Sequence, residues 1–121
     1  MPWSLRVGRT SYSVPIRGGS LSSEFNLEDW DDSLRTEDGV TDVDRMWSNL
    51  KTFLEAVIPA AEEAGVYLAL HPDDPPLPRL RGLARIMNTP EDFERLIQLV
   101  DSPHNGITFC QGKQFTLYVA S

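Results

Sequence analysis

Between Thr41 and Gly65 the chain repeats apolar residues at helical spacing. Met46, Leu50, Phe53 and Val57 follow at steps of four, three and four, and Trp47, Leu54 and Ile58 widen the same stripe. Side chains at that interval share one face of an α-helix, so the stretch predicts an amphipathic helix. Thr41 or Asp42 can cap its start by accepting from a free backbone N–H, and Asp44 sets negative charge near the positive helix terminus. Pro59 cannot donate to the residue four before it, which predicts a kink or restart there before Gly65 ends the element.

The pattern then changes. "VYLAL", Val66 to Leu70, is a continuous apolar run that predicts a buried strand ended by His71-Pro72. A second helix is predicted after Asn88, with Thr89 as cap, Pro90 at the first helical position, and Phe93, Leu96, Ile97 and Val100 on its apolar face. Asp101-Ser102-Pro103 breaks it, and "GITFC" predicts a further strand terminated by Cys110, with a possible last strand in "FTLYVA". Helix–strand alternation needs crossover connections and predicts a mainly parallel sheet whose strands are apolar on both faces because helices cover them.

Residues 1–42 carry less pattern. "SLRVG" and "SYSVPI" alternate weakly, "RGGSLSS" is turn-like, and "FNLEDWDDSL" holds only a short helical pattern. The expected organisation is an irregular N-terminal or insertion segment over 1–42, on the substrate side or poorly ordered, and an α/β portion over 43–121.

Composition narrows the function classes. At 121 residues the chain holds one domain at most, with enough length to bury a core. A formal charge of -7 with no basic stripe argues against binding to nucleic-acid backbones. Nine of the eighteen acids lie between Glu24 and Asp44, where "EDWDDS" lacks the alternating oxygen ligands of a calcium loop; a solvated acidic face is expected. No apolar run approaches a membrane span, and "MPWSLRVGRT" lacks a secretory signal's hydrophobic stretch, so a cytoplasmic location is expected. The single cysteine, Cys110, excludes an intrachain disulfide and is a buried thiol, a reactive thiol or a metal ligand.

The candidate chemistry gathers where the predicted strands end. His71 follows one and Cys110 ends the next. If the strands are neighbours, about 4.8 Å apart, both side chains can converge on one ion at the sheet end where parallel folds place their sites. Two donors are an incomplete set, because catalytic zinc takes three protein ligands and manganese more oxygen. The plainer readings are a hydrogen-bonded loop histidine and a small core thiol. Asp73 and Asp74 can ligate a metal, orient His71, touch a sugar hydroxyl or cap the proline-rich turn of "HPDDPP". Arg79, Arg81 and Arg85 add a positive field able to meet a substrate carboxylate, or form surface ion pairs. His104, in "SPHNG", enters the strand that Cys110 leaves and is expected as a turn residue away from the metal. No GxSxG, GxxxxGK[ST], HExxH or CxxC motif is present.

Two stretches, "AEEAGVYLALHPDDPP" and "GLARIMNTPEDFERLIQLVDSPHNGITFCQG", closely resemble the mannonate dehydratase family, over about Met46 to Gly112. The resemblance implies a TIM-like (β/α) barrel related to xylose isomerase, in which Mn2+ or Fe2+ assists removal of water from D-mannonate to give 2-dehydro-3-deoxy-D-gluconate. It assigns His71 and Cys110 as metal ligands; the family's other ligands and its acid and base fall on later strands and match no residue here. A full barrel takes eight strands and about 250 residues. The expectation is therefore a partial TIM-like barrel with mainly parallel strands, incomplete and inactive alone, whose open edges call for self-association or a missing barrel segment. The alternative is a non-enzymatic partial barrel that binds a metal or a partner.

Overall fold

A computed structural model describes residues 11–31, 33–37 and 39–112. In chain order the elements are β1 (Ser11–Pro15), β2 (Leu21–Glu24), α1 (Val43–Ala64), β3 (Leu68–Leu70), β4 (Arg79–Leu80), β5 (Leu83–Ala84), α2 (Pro90–Leu99) and β6 (Asn105–Ile107). Short 3-10 turns occupy Arg17–Gly19 and Leu27–Asp29. The weakly alternating "SLRVG" and the possible last strand in "FTLYVA" lie outside the described residues.

Helix α1 starts where the Asp42 side chain accepts the Arg45 N–H at 2.8 Å. It ends at Gly65, which has a left-handed backbone (φ 65°). The helix runs through Pro59 as one element, without a restart. Pro59 and Glu55 are both exposed, so the carbonyl that loses its intrahelical donor faces water. The buried stripe is centred one residue beyond the predicted one: Trp47, Leu54, Ile58 and Ala61 are buried, whereas Phe53 is 55% exposed.

Trp47, Leu54 and Ile58 form the core with Ile86, Met87, Phe93 and Leu96, and Leu68 and Leu70 pack against it from β3. Ile58 and Leu96 are almost wholly enclosed, each contributing about 1.5–3 kcal/mol relative to exposure. Helix α2 begins as its sequence predicts. The Thr89 side chain accepts the Asp92 N–H, the Asp92 carboxylate accepts the Thr89 N–H, and Pro90 opens the helix.

β3 and β6 pair in parallel, with Leu68, Ala69 and Leu70 beside Asn105, Gly106 and Ile107. β3 is shorter than the predicted five residues. The Val66 N–H is engaged in closing α1, donating to the Ala61 carbonyl at 2.9 Å while Gly65 donates to Glu62. The expectation of helices on both faces is also corrected: Leu68 and Leu70 reach the core, but Ala69 is exposed.

The described strands are mixed rather than mainly parallel, because β1–β2 and β4–β5 are antiparallel. "RGGSLSS" supplies both the turn of the first hairpin and its second strand. The β4–β5 hairpin closes on Arg81 and Gly82, both with positive φ (51° and 84°), the two-residue turn that suits strand twist. At Gly82 a Cβ would lie 2.6 Å from Arg35 Cδ and 2.9 Å from the Gly39 carbonyl oxygen. Thr36 and Thr41 are seated on the same hairpin: Thr36 donates to the Arg81 carbonyl, and Thr41 donates to Gly82 and accepts from Ala84.

Candidate active site at one end of the parallel pair

The register determines which side chains meet at which end. With Leu70 beside Ile107, the chain leaves β3 as His71 and leaves β6 as Thr108. Thr108 ties the two exits together: its N–H donates to the Leu70 carbonyl at 2.9 Å and its hydroxyl to the Ala69 carbonyl at 3.1 Å. Cys110 does not terminate the strand as predicted. β6 stops at Ile107, and the Cys110 N–H turns back to the Thr108 carbonyl at 3.0 Å, a three-residue turn that carries the half-buried thiol beyond the sheet. His104 sits at the opposite end, as expected. Its carbonyl accepts the Leu68 N–H, and its ring stacks on Tyr67 with centroids 4.5 Å apart.

His71 is exposed, and its Nδ1 lies 2.7 Å from the Pro72 carbonyl oxygen. A carbonyl only accepts, so Nδ1 carries a proton, and Nε2 is the nitrogen that a neutral imidazole would offer for coordination. Among the described residues no three His, Cys, Asp or Glu side chains are grouped to hold an ion.

Beside His71 lies a cavity of about 490 Å3. Met46, Leu50 and Phe53 of α1 and Leu70 of β3 give it apolar walls, and Asn49, His71, Asp73 and Arg85 are its polar members. Asp73 is fully engaged by protein. Its Oδ1 is 2.7 Å from Arg85 Nη2, its Oδ2 accepts the Met87 N–H at 2.8 Å, and its own N–H donates to the Met87 carbonyl. It clasps the loop after β3 to the segment between β5 and α2. Asp74 is exposed, and its carbonyl oxygen lies 3.5 Å from Arg85 Nη2.

Of the three candidate arginines, only Arg85 lines the cavity. Arg79 is exposed, and the Arg81 guanidinium stands 5.9 Å from the centroid of a Trp30 ring. Asn49 was not singled out by sequence; the available signal was its place three residues after Met46 and four before Phe53 on one helix face. Among the described residues, the acid-rich 24–44 stretch contributes none to this cavity. Within it, hydrogen bonds from the Ser33 hydroxyl and N–H hold the Asp31 carboxyl below the usual carboxylate range.

These elements define a mixed α/β chain with a histidine and a cysteine leaving one end of a parallel strand pair, beside a largely apolar cavity. The family profile for D-mannonate dehydratase (UxuA) matches residues 22–119, and the chain belongs to that family. A mannonate dehydratase from Streptococcus suis is 42% identical over 102 residues, covering 76% of this chain and 27% of that protein. Mannonate dehydratase 2 from Halalkalibacterium halodurans is 40% identical over 107 residues, covering 82% and 31%. The crystal structure of mannonate dehydratase from Streptococcus suis serotype 2 superposes with a TM-score of 0.65 at 38% identity, over 84% of this chain and 32% of that one. The chain thus spans under a third of the curated relatives' length. No helix among the described residues is long and apolar enough to cross a membrane.

Proposed function

We propose that this chain contributes the first metal-holding strand ends of a cytoplasmic mannonate dehydratase, a lyase that converts D-mannonate to 2-dehydro-3-deoxy-D-gluconate and water. On this reading residues 43–121 are part of a TIM-like barrel, and residues 1–42 flank it on the substrate side. The observation that carries the reading is the delivery of His71 and Cys110 from the same end of adjacent parallel strands, with His71 Nε2 left as a donor.

His71 Nε2 and the Cys110 sulfur would be two of the donors to the Mn2+ or Fe2+ ion, and the oxygen donors that Mn2+ prefers would have to come from elsewhere. A bound divalent ion supplies Lewis acidity, stabilising the negative charge that develops when the proton beside the carboxylate is removed. The reaction breaks the C2–H and C3–OH bonds; the resulting enol becomes the 2-keto group, and the hydroxyl leaves as water. The acid and base that move these protons lie outside the residues named here. Two donors and no assigned acid or base lead to the expectation that the 121-residue chain alone does not turn over D-mannonate.

A chimera tests this. Residues 22–112 replace the matching portion of the Streptococcus suis enzyme, and the 2-keto-3-deoxy acid formed from D-mannonate with Mn2+ is quantified. Activity in the chimera, falling on the order of 100-fold or more on His71→Ala or Cys110→Ala, is the expected result. An active chimera indifferent to both substitutions contradicts the assignment.

An additional role in association has its own support. Ala69 and Ile107 are exposed on the strand pair, and Phe109 is 73% exposed just beyond it. Open apolar surface of this kind fits self-association or closure by further barrel strands. Sedimentation equilibrium over a range of concentrations distinguishes an associating chain from a monomer.

A further inference from the structure

We infer that Thr108 is a positioning residue, fixing from one place in the chain the two strand exits that carry His71 and Cys110, a role that rests on the proposed metal at those two residues. Three hydrogen bonds converge on it. Its N–H donates to the Leu70 carbonyl at 2.9 Å, its hydroxyl donates to the Ala69 carbonyl at 3.1 Å, and its own carbonyl accepts the Cys110 N–H at 3.0 Å. One residue is thereby bonded to the backbone just before the first candidate ligand and to the backbone of the second.

A peptide unit is planar, so holding the Leu70 carbonyl also sets the direction of the His71 Cα, which lies in the same plane. The hydroxyl holds the plane before it. With the Ala69 and Leu70 carbonyls both engaged, the backbone on either side of Leu70 is restrained where the chain leaves β3. His71 is exposed and Cys110 half-buried, so packing alone holds neither firmly and the backbone has to supply their placement. Metal affinity is sensitive to that placement: losing a group that orients a ligand typically costs about 10–100-fold. The two backbone bonds are open to most residue types at this position, whereas the bond to Ala69 needs a hydroxyl on a short side chain. Ala69 is exposed, so water can take up its carbonyl when the hydroxyl is removed, and the core cluster does not include Thr108. Removing the hydroxyl therefore disturbs the strand exits without emptying the core.

The test titrates Co2+ into the complete chain, because a thiolate bound to Co2+ gives a near-ultraviolet charge-transfer band that reports Cys110 ligation directly. The unaltered chain is expected to show the band and Cys110→Ala to lose it. Thr108→Val keeps the branched shape without the hydroxyl and is expected to weaken Co2+ binding about tenfold, with little change in the urea midpoint. Thr108→Ser returns the hydroxyl and is expected to restore the affinity. In the metal-free chain the His71 and Cys110 amide resonances are expected to move in Thr108→Val and to return in Thr108→Ser, with the Leu54 and Leu96 amides in place throughout. Thr108→Ala, a second variant without the hydroxyl, decides if Thr108→Val fails to fold. Co2+ binding that is indifferent to Thr108→Val, or that falls equally in Thr108→Val and Thr108→Ser, overturns the inference and leaves the metal at His71 and Cys110 standing. A chain that gives no thiolate band in any form contradicts the proposed metal end itself and overturns the role of Thr108 with it.

Discussion

His71 and His104 stand at opposite ends of one strand pair, and each gives Nδ1–H to a backbone carbonyl at 2.7 Å. They share a tautomer and a kind of partner, and only their surroundings differ. His104 is woven into the fold. Its ring lies on Tyr67, its side chain ties to Val66 just past the end of α1, and its N–H donates to Ser102, whose hydroxyl reaches Glu62. His71 lines the cavity, is exposed, and spends its Nδ1–H on the neighbouring Pro72 carbonyl. At the end where strands begin, the chain arrives from helix termini whose carbonyls need donors, so side chains there are taken up in capping. At the other end the chain departs into loops, and side chains remain available for chemistry.

The largest expected blow to that contrast removes the core both ends share. Leu96→Ala opens a void under α2 beside β6 and is expected to cost about 2–5 kcal/mol by urea unfolding, loosening both ends together. Asn105→Ala acts on one end. The buried amide donates to the Leu96 and Val100 carbonyls at 3.1 Å, closing α2, and its loss is expected to cost about 1–3 kcal/mol with Mn2+ affinity unchanged in the folded fraction. His104→Ala removes the stack and the bond to Val66, for about 0.5–1.5 kcal/mol, and also spares metal binding. His71→Ala is expected to leave stability within about 0.5 kcal/mol while lowering Mn2+ affinity, measured by calorimetry alongside unfolding. A destabilisation by His71→Ala as large as that of His104→Ala breaks the comparison.

The ends of both helices were legible because local chemistry sets them. Thr89 and Pro90 start α2, and Gly65 stops α1, through contacts made within a few residues. The parallel pairing followed from alternation of helix and strand. What escaped the sequence depends on distant partners. "LRGLA" carries a turn glycine, yet Gly82 is confined by Arg35 and Gly39 as well as by its own dihedral angle. The stripe on α1 rotates toward Trp47 and Ile58 because the helix packs on Phe93 and Leu96, so Phe53 is left at the cavity. Asp73 and Asp74 look alike in "HPDD", and only the return of Arg85 and Met87 makes the first a clasp. Cys110 was placed at the correct end of the pair, but the turn after Ile107 that carries it past the strand has no sequence signal of its own.

Paramagnetic broadening decides whether the His71 end of the strand pair is the one that holds the metal. Mn2+ is titrated into the isotope-labelled chain and amide line widths are followed residue by residue. The expected result is broadening strongest at His71 and Cys110, falling off along β3 and β6 toward His104, and removed by His71→Ala. Broadening centred on the acidic 24–44 stretch or on His104, with His71 sharp, contradicts it.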